Sequence, residues 1–171
     1  TKTNGIYKLS QANNQLKLSG HYLYEGDNPR PLSIQKGLEG KILLGTNERL
    51  YVFDTSVDNF IPYQYQPERV IPTYVQSILE DQNYLFQGTN NGLFVMDKHS
   101  GEIEWYNFIA NDDNSLSHAN VTALAKSDAD ILLIGTLGGF CSLNLDNKLV
   151  TRSRLFTNRE EINQVEFIRS L

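Results

Sequence analysis

The sequence predicts an all-β chain built from a repeated four-stranded antiparallel unit. Three observations predict it. A Gly-Thr pair between two apolar runs recurs at Gly45-Thr46, Gly88-Thr89 and Gly135-Thr136, with spacings of 43 and 47 residues. A second marker keeps the same period: Leu32-Ser33-Ile34, Val75–Leu79 and Val121–Ala125 each begin 13 or 14 residues before their Gly-Thr. The runs themselves are about 4–6 residues long, rich in Val, Ile, Leu, Phe and Tyr, and bounded by Gly, Asn, Asp and Ser. That is the chemistry of strands and turns.

Taken in order, a clipped copy opens the chain as Asn4-Gly5-Ile6-Tyr7-Lys8-Leu9, with Gly5 standing 44 residues before its equivalent, Arg49. The clearest copy predicts strands over Val75–Leu79, Tyr84–Gln87, Gly92–Met96 and Ile103–Phe108. Short turns join them, and Gly101 in the third turn is free to take positive φ. A longer link, Ile109 to Asn120, leads to the next copy. Val165-Glu166-Phe167-Ile168 lies 44 residues after Val121 and begins another. Ile162, Val165 and Ile168 also fit a helix over Asn158–Leu171, but the repeat phase favours a strand at Val165–Ile168. A four-stranded unit with this period is the arithmetic of a β-propeller blade. The expected fold is therefore a β-propeller fragment of about four blades, the first and last incomplete. Its repeats run over 1–31 (partial), 32–74, 75–120, 121–164 and 165–171 (the start of the next).

The chain has 171 residues and a formal net charge of −5, without a basic run. That is a poor nucleic-acid binder. No stretch approaches the ~18 consecutive apolar residues of a membrane helix, so no direct membrane contact is expected. The single cysteine, Cys141, excludes an internal disulfide and a cysteine-based zinc site. In its strand it reads as a small buried hydrophobe. The chain opens at Thr1, which reads as a segment of a longer protein.

No catalytic set can be nominated. His21, His99 and His118 are far apart in the sequence, and no metal or cofactor is expected. Asp112-Asp113-Asn114 and Asp54–Asp58 lack the glycine and the closing acid of a calcium loop and read as turn chemistry. Gly138-Gly139 and Asn91-Gly92 precede strands, so they are tight turns and not phosphate loops. A propeller hydrolase or lyase would need an acid/base pair, and Glu102 and Glu104 point outward on an outer strand.

Gly88-Thr89-Asn90-Asn91-Gly92-Leu93 and Asn114-Ser115-Leu116-Ser117-His118-Ala119-Asn120-Val121 resemble the two-component regulator propeller repeat. The resemblance covers nearly the whole chain and is clearest over 75–139. Leu43, Phe86 and Leu133 stand where that repeat usually has tryptophan, and the one tryptophan, Trp105, lies on an outer strand. The resemblance implies a periplasmic sensor region of a bacterial hybrid two-component histidine kinase. Its usual ligands are oligosaccharides, and the segment itself would be non-catalytic. The alternative is a non-catalytic scaffold for protein–protein interaction or dimerisation.

Strand parity locates a ligand face. In a four-stranded meander the turn after the second strand and the link to the next blade share one face, and variable links carry function on many scaffolds. The residues best placed there are Arg30, Arg49, Arg69, Tyr74, Asn91 and His118. Arginines fork to hydroxyls or a carboxylate, and Tyr74 offers a ring to a sugar. His118 either meets a ligand or bonds the Asp112-Asp113 backbone and holds the link. The expected partners are an oligosaccharide, the missing blades of the parent propeller, and a second copy of an arc whose apolar blade faces are open.

Overall fold

The computed structural model describes residues 6–22, 29–65, 72–127 and 130–153. Two strands, β1 (Ile6–Ala12) and β2 (Gln15–Tyr22), form an antiparallel hairpin. Three four-stranded antiparallel meanders follow. The first holds β3 (Pro31–Lys36), β4 (Ile42–Thr46), β5 (Leu50–Asp54) and β6 (Asn59–Pro62). The second holds β7 (Ser77–Glu80), β8 (Tyr84–Thr89), β9 (Gly92–Asp97) and β10 (Ile103–Tyr106). The third holds β11 (Val121–Lys126), β12 (Ile131–Thr136), β13 (Gly139–Asn144) and β14 (Val150–Arg152). Strands β3, β7 and β11 lie side by side, so the first strand of each sheet is innermost. This is the blade order that the period predicts. The segment over 158–171, where strand was preferred to helix, and the last repeat from 165 lie outside the described residues.

In the clearest copy β7, β8 and β9 run one or two residues further at their ends than expected, and two strands are cut short, each for a hydrogen-bonding reason. The innermost strand of the second full blade begins at Ser77 and not at Val75, because the Val75 N–H is donated back to Thr46 O of the preceding blade at 2.9 Å. Its outer strand ends at Tyr106 and not at Phe108. The Asn107 side chain takes the Phe108 N–H at 2.8 Å, and Asn107 O accepts Leu116 N–H, which turns the chain into the link.

Alternation along the strands builds the core between blades. Leu85 and Gln87 point toward the preceding blade, where Leu43, Leu50, Val75 and Tyr65 meet Ile78, Leu85 and Met96. Phe86, between them in the strand, points the other way, to Leu93, Val121, Leu132, Ile134 and Cys141. Leu85 and Phe86 are fully buried; burial of such side chains contributes about 1.5–3 kcal/mol each. Tyr22 of β2 packs edge-on against Phe53 and Phe60 and covers Leu44, which attaches the hairpin to the first full blade. Gly88 has no room for a side chain: a Cβ there would clash with Ser77 Oγ and lie 2.6 Å from Val121 Cγ1 of the next blade. Glycine is the residue that lets these two sheets approach.

Candidate functional site

The second turn of every full blade is closed by its threonine. Thr46, Thr89 and Thr136 are all buried. Each Oγ1 donates to a carbonyl three residues on, Arg49 O at 2.8 Å, Gly92 O at 2.9 Å and Gly139 O at 3.0 Å. Each also accepts a turn N–H, from Arg49 and Glu48, from Asn91, and from Gly138. The hydroxyl thus satisfies both ends of a tight turn, which is the reason for threonine at that position. Gly92, at φ 103°, supplies the left-handed residue that the second of these turns requires.

The links between blades sit on the same turns. Asn47 accepts Arg30 N–H on its side chain and Tyr74 N–H on its carbonyl at 3.1 Å. Gly92 N–H is donated to Ala119 O and Leu137 N–H to Asn120 O. The Gly-Thr turns and the links therefore share one face, as parity requires. Arg30, Arg49 and Tyr74 gather around the first turn. Asn91 lies beside the link 117–120, which contains His118, and Arg69 lies outside the described residues. Tyr74 sits at φ 53° and exposes its ring. That conformation costs a bulky residue roughly 1–3 kcal/mol and is typical of functional positions.

His118 holds its link, but at a different place from the one expected. Its Nδ1 accepts Asn120 N–H at 2.9 Å, a bond two residues away, and not the Asp112-Asp113 backbone. Asp112 instead caps its own turn by accepting Asn114 N–H at 2.9 Å. Asp54 does the same with Ser56 N–H at 2.7 Å, which is turn chemistry at both acidic clusters.

A concavity lies toward the outer edge of this face. Asp113, Asn114, Ser117, Gly138, Thr151, Arg152 and Ser153 line an open cleft of about 510 Å³. Its floor is set by Arg152. Nε donates to Ser115 O at 2.9 Å, and Nη2 to Ser115 Oγ at 2.7 Å and Ile109 O at 3.1 Å. The guanidinium also lies 5.2 Å from the Phe108 ring. Nη1 is 3.8 Å from Asp113 Oδ1, beyond hydrogen-bond length. Ser117 bonds Thr136 Oγ1 at 2.8 Å, and Cys141 Sγ accepts Ser117 N–H at 3.1 Å, so the link is fixed from below. None of Arg30, Arg49, Tyr74, Asn91 and His118 lines this cleft.

Sequence reasoning did not single out Arg152. The register pairs Arg152 with Cys141 and Trp105 with Phe94, so Arg152 occupies the position that Trp105 has one blade earlier. Trp105 reaches the same face, donating its indole N–H to Asn91 O at 2.7 Å and stacking on Phe94. Repeat phase was the signal that leads from one to the other. The cleft has amides, hydroxyls, one arginine and one carboxylate. That set hydrogen-bonds polar ligands and offers no facing pair of acids. Among the described residues no group of three or more His, Cys, Asp or Glu could hold a metal ion.

No protein-family profile and no curated protein matches the chain. Solved structures do. The extracellular domain of a protein assigned to the one-component systems of B. thetaiotaomicron superposes with a TM-score of 0.68 at 20% identity, over 98% of this chain and 22% of that one. The extracellular domain of a protein assigned to the hybrid two-component systems of the same organism gives 0.61 at 22% identity, over 82% of this chain and 20% of the other. A streptogramin B lyase gives 0.58 at 16% identity, over 88% and 48%. The fold is a run of β-propeller blades. The chain spans about a fifth of the length of these two extracellular domains.

Proposed function

We propose that this chain is a ligand-sensing propeller segment in the extracytoplasmic, periplasmic sensor region of a hybrid two-component histidine kinase, a member of the regulator propeller-repeat group, and that its ligand is an oligosaccharide. The observation that carries the reading is the superposition of 82–98% of the chain on extracellular sensor domains. The Gly-Thr face supports it with a polar cleft whose Arg152 lies against exposed Phe108, and with exposed Trp105 at the Asn91 turn, since sugars present hydroxyls to amides and arginine and a flat face to aromatic rings. The segment binds and does not catalyse; the kinase activity belongs to the longer protein.

A thermal-shift screen of the chain, and of the longer protein's sensor region, against a glycan panel tests this. One sugar class is expected to raise Tm by several degrees in a concentration-dependent way. No shift with any glycan in either sample overturns the reading. The exposed apolar residues Leu9, Leu16, Leu18 and Ile34 favour the second reading, a scaffold for protein contacts, and a flat screen leaves that one standing.

A further inference from the structure

Asparagine followed by glycine is the pair of residues most prone to rearrange in water, because glycine has no side chain to hinder attack of its backbone nitrogen on the asparagine carboxamide. Among the described residues the pair occurs once, at Asn91-Gly92 in the second turn of the second full blade. The equivalent pairs in the blades on either side are Glu48-Arg49 and Gly138-Gly139, and neither carries a carboxamide. The fold fixes the glycine. Gly92 sits at φ 103°, and a Cβ there would clash with Tyr106 O and lie 2.7 Å from Trp105 Nε1. Asn91 is exposed, and its Oδ1 accepts a long bond from Asn107 Nδ2 at 3.5 Å.

The peptide unit between the two residues is held at both ends. Asn91 O accepts the Trp105 indole N–H at 2.7 Å, and Gly92 N–H is donated to Ala119 O of the link at 2.6 Å. Gly92 is buried. For its nitrogen to reach Asn91 Cγ, the unit must rotate about the Cα–C bond of Asn91, which breaks both bonds together. The nitrogen must also lose its proton, and a buried N–H set against a carbonyl is withheld from hydroxide.

We propose that Asn91 is a self-modification site of the Gly-Thr face, gated by the link 117–120 and by the indole of Trp105. When the link lifts and the indole lets go, hydroxide takes the Gly92 amide proton and the nitrogen attacks Asn91 Cγ. The N–Cγ bond forms, the Cγ–Nδ2 bond breaks, and ammonia leaves on a proton from water. Water then opens the succinimide at either carbonyl and gives aspartate or isoaspartate. Both products place a carboxylate beside Trp105. Isoaspartate also adds a methylene to the main chain of a turn that Thr89 closes from both sides. The peptide unit then no longer meets Trp105 and Ala119 together, so transient opening of the link becomes permanent.

The test follows the whole chain at neutral pH, folded and in urea. Peptide mass spectrometry counts aspartate and isoaspartate at position 91, and hydrogen exchange is read at the Gly92 amide. The folded chain is expected to form both products at least about tenfold more slowly than the chain in urea, and the Gly92 amide to be slowed by a similar factor, since both reactions need the same bared nitrogen. Trp105→Phe removes the indole donor, and His118→Ala removes the acceptor of Asn120 N–H within the link. Each is expected to raise both rates together, while exchange in the middle of β8 and β12 stays at the parent's rate and the three chains react alike in urea. An Asn91 that reacts as fast folded as in urea overturns the proposal, and so does one that yields neither product in urea. Variants whose product formation does not follow Gly92 exchange overturn it as well.

Discussion

On the Gly-Thr face, blades meet through neutral groups: Thr46, Thr89 and Thr136 close the turns, and backbone amides such as Gly92 N–H join turn to link. On the opposite face they meet through charge. Glu80, nearly buried, holds Lys98 at 2.9 Å and Leu38 N–H, while Asp81 pairs with Lys126 and accepts the N–H groups of Asn83 and Tyr84. Neutral hydrogen bonds make joints between blades whose strength changes little with salt. Ion pairs give blade-to-blade register on the side where no ligand is proposed. The two faces thus join the same blades by different chemistry.

The largest effect should come from the element both faces depend on, the close approach at Gly88. Gly88→Val is expected to cost about 3 kcal/mol or more in urea unfolding, because the side chain overlaps Ser77 and Val121 across the blade interface. A loss below 1 kcal/mol would show that the blades can slide apart at little cost.

Thr89→Val removes the hydroxyl at constant shape, leaving Asn91 N–H and Gly92 O without that partner. The expected loss is about 1–3 kcal/mol, equal at low and high salt. Asp81→Asn on the charged face is expected to cost about 1–2 kcal/mol at pH 7, between the exposed and the fully buried cases. Burial alone would raise the Asp81 pKa, but Lys126 and the two backbone N–H groups outweigh it and hold the carboxyl below its ordinary 3.8. A depressed carboxyl stabilises the fold above its unfolded pKa and ceases to do so as pH falls through the folded value. The gap between wild type and Asp81→Asn should therefore be full at neutral pH and close below about pH 4. High salt should narrow it as well. If Thr89→Val responds to salt as strongly as Asp81→Asn does, the contrast between the faces fails.

The smallest effect on folding belongs to Arg49 on the Gly-Thr face. Arg49→Ala should change stability by no more than about 0.5 kcal/mol. Arg49→Ala and Arg69→Ala should each weaken glycan binding by about 1–3 kcal/mol in calorimetry if the side chain hydrogen-bonds the sugar. Unchanged affinity in both moves the recognition site to the Arg152 cleft or to other blades.

The blades were legible in the sequence because strand alternation and turn chemistry repeat together. Gly45, Gly88 and Gly135 mark the second turn each time, and parity then places Arg30, Tyr74, Asn91 and His118 on one face. Contacts within the link were less legible. His118 bonds Asn120 and not the acidic pair, since two-residue turn geometry favours the nearer amide. The Arg152 cleft joins residues 37 apart in the chain, Ser115 and Arg152, and nothing local to either announces the other. Likewise Lys126 and Asp81 are 45 apart and find each other only through the stacking of the sheets.

Trp105 is the chain's single tryptophan, and its indole N–H bonds the carbonyl of Asn91 in the second turn of its blade. The strongest ultraviolet emitter of the molecule is thus fastened to the Gly-Thr face, with half of its ring in solvent. Its emission reads the polarity and access at that one spot. A ligand seated over Asn91 should shift the spectrum to the blue and shield it from iodide. Opening of the Thr89–Gly92 turn should do the reverse before the rest of the chain unfolds. The protein carries its own fluorometer, and occupancy can be followed in real time on the unlabelled chain.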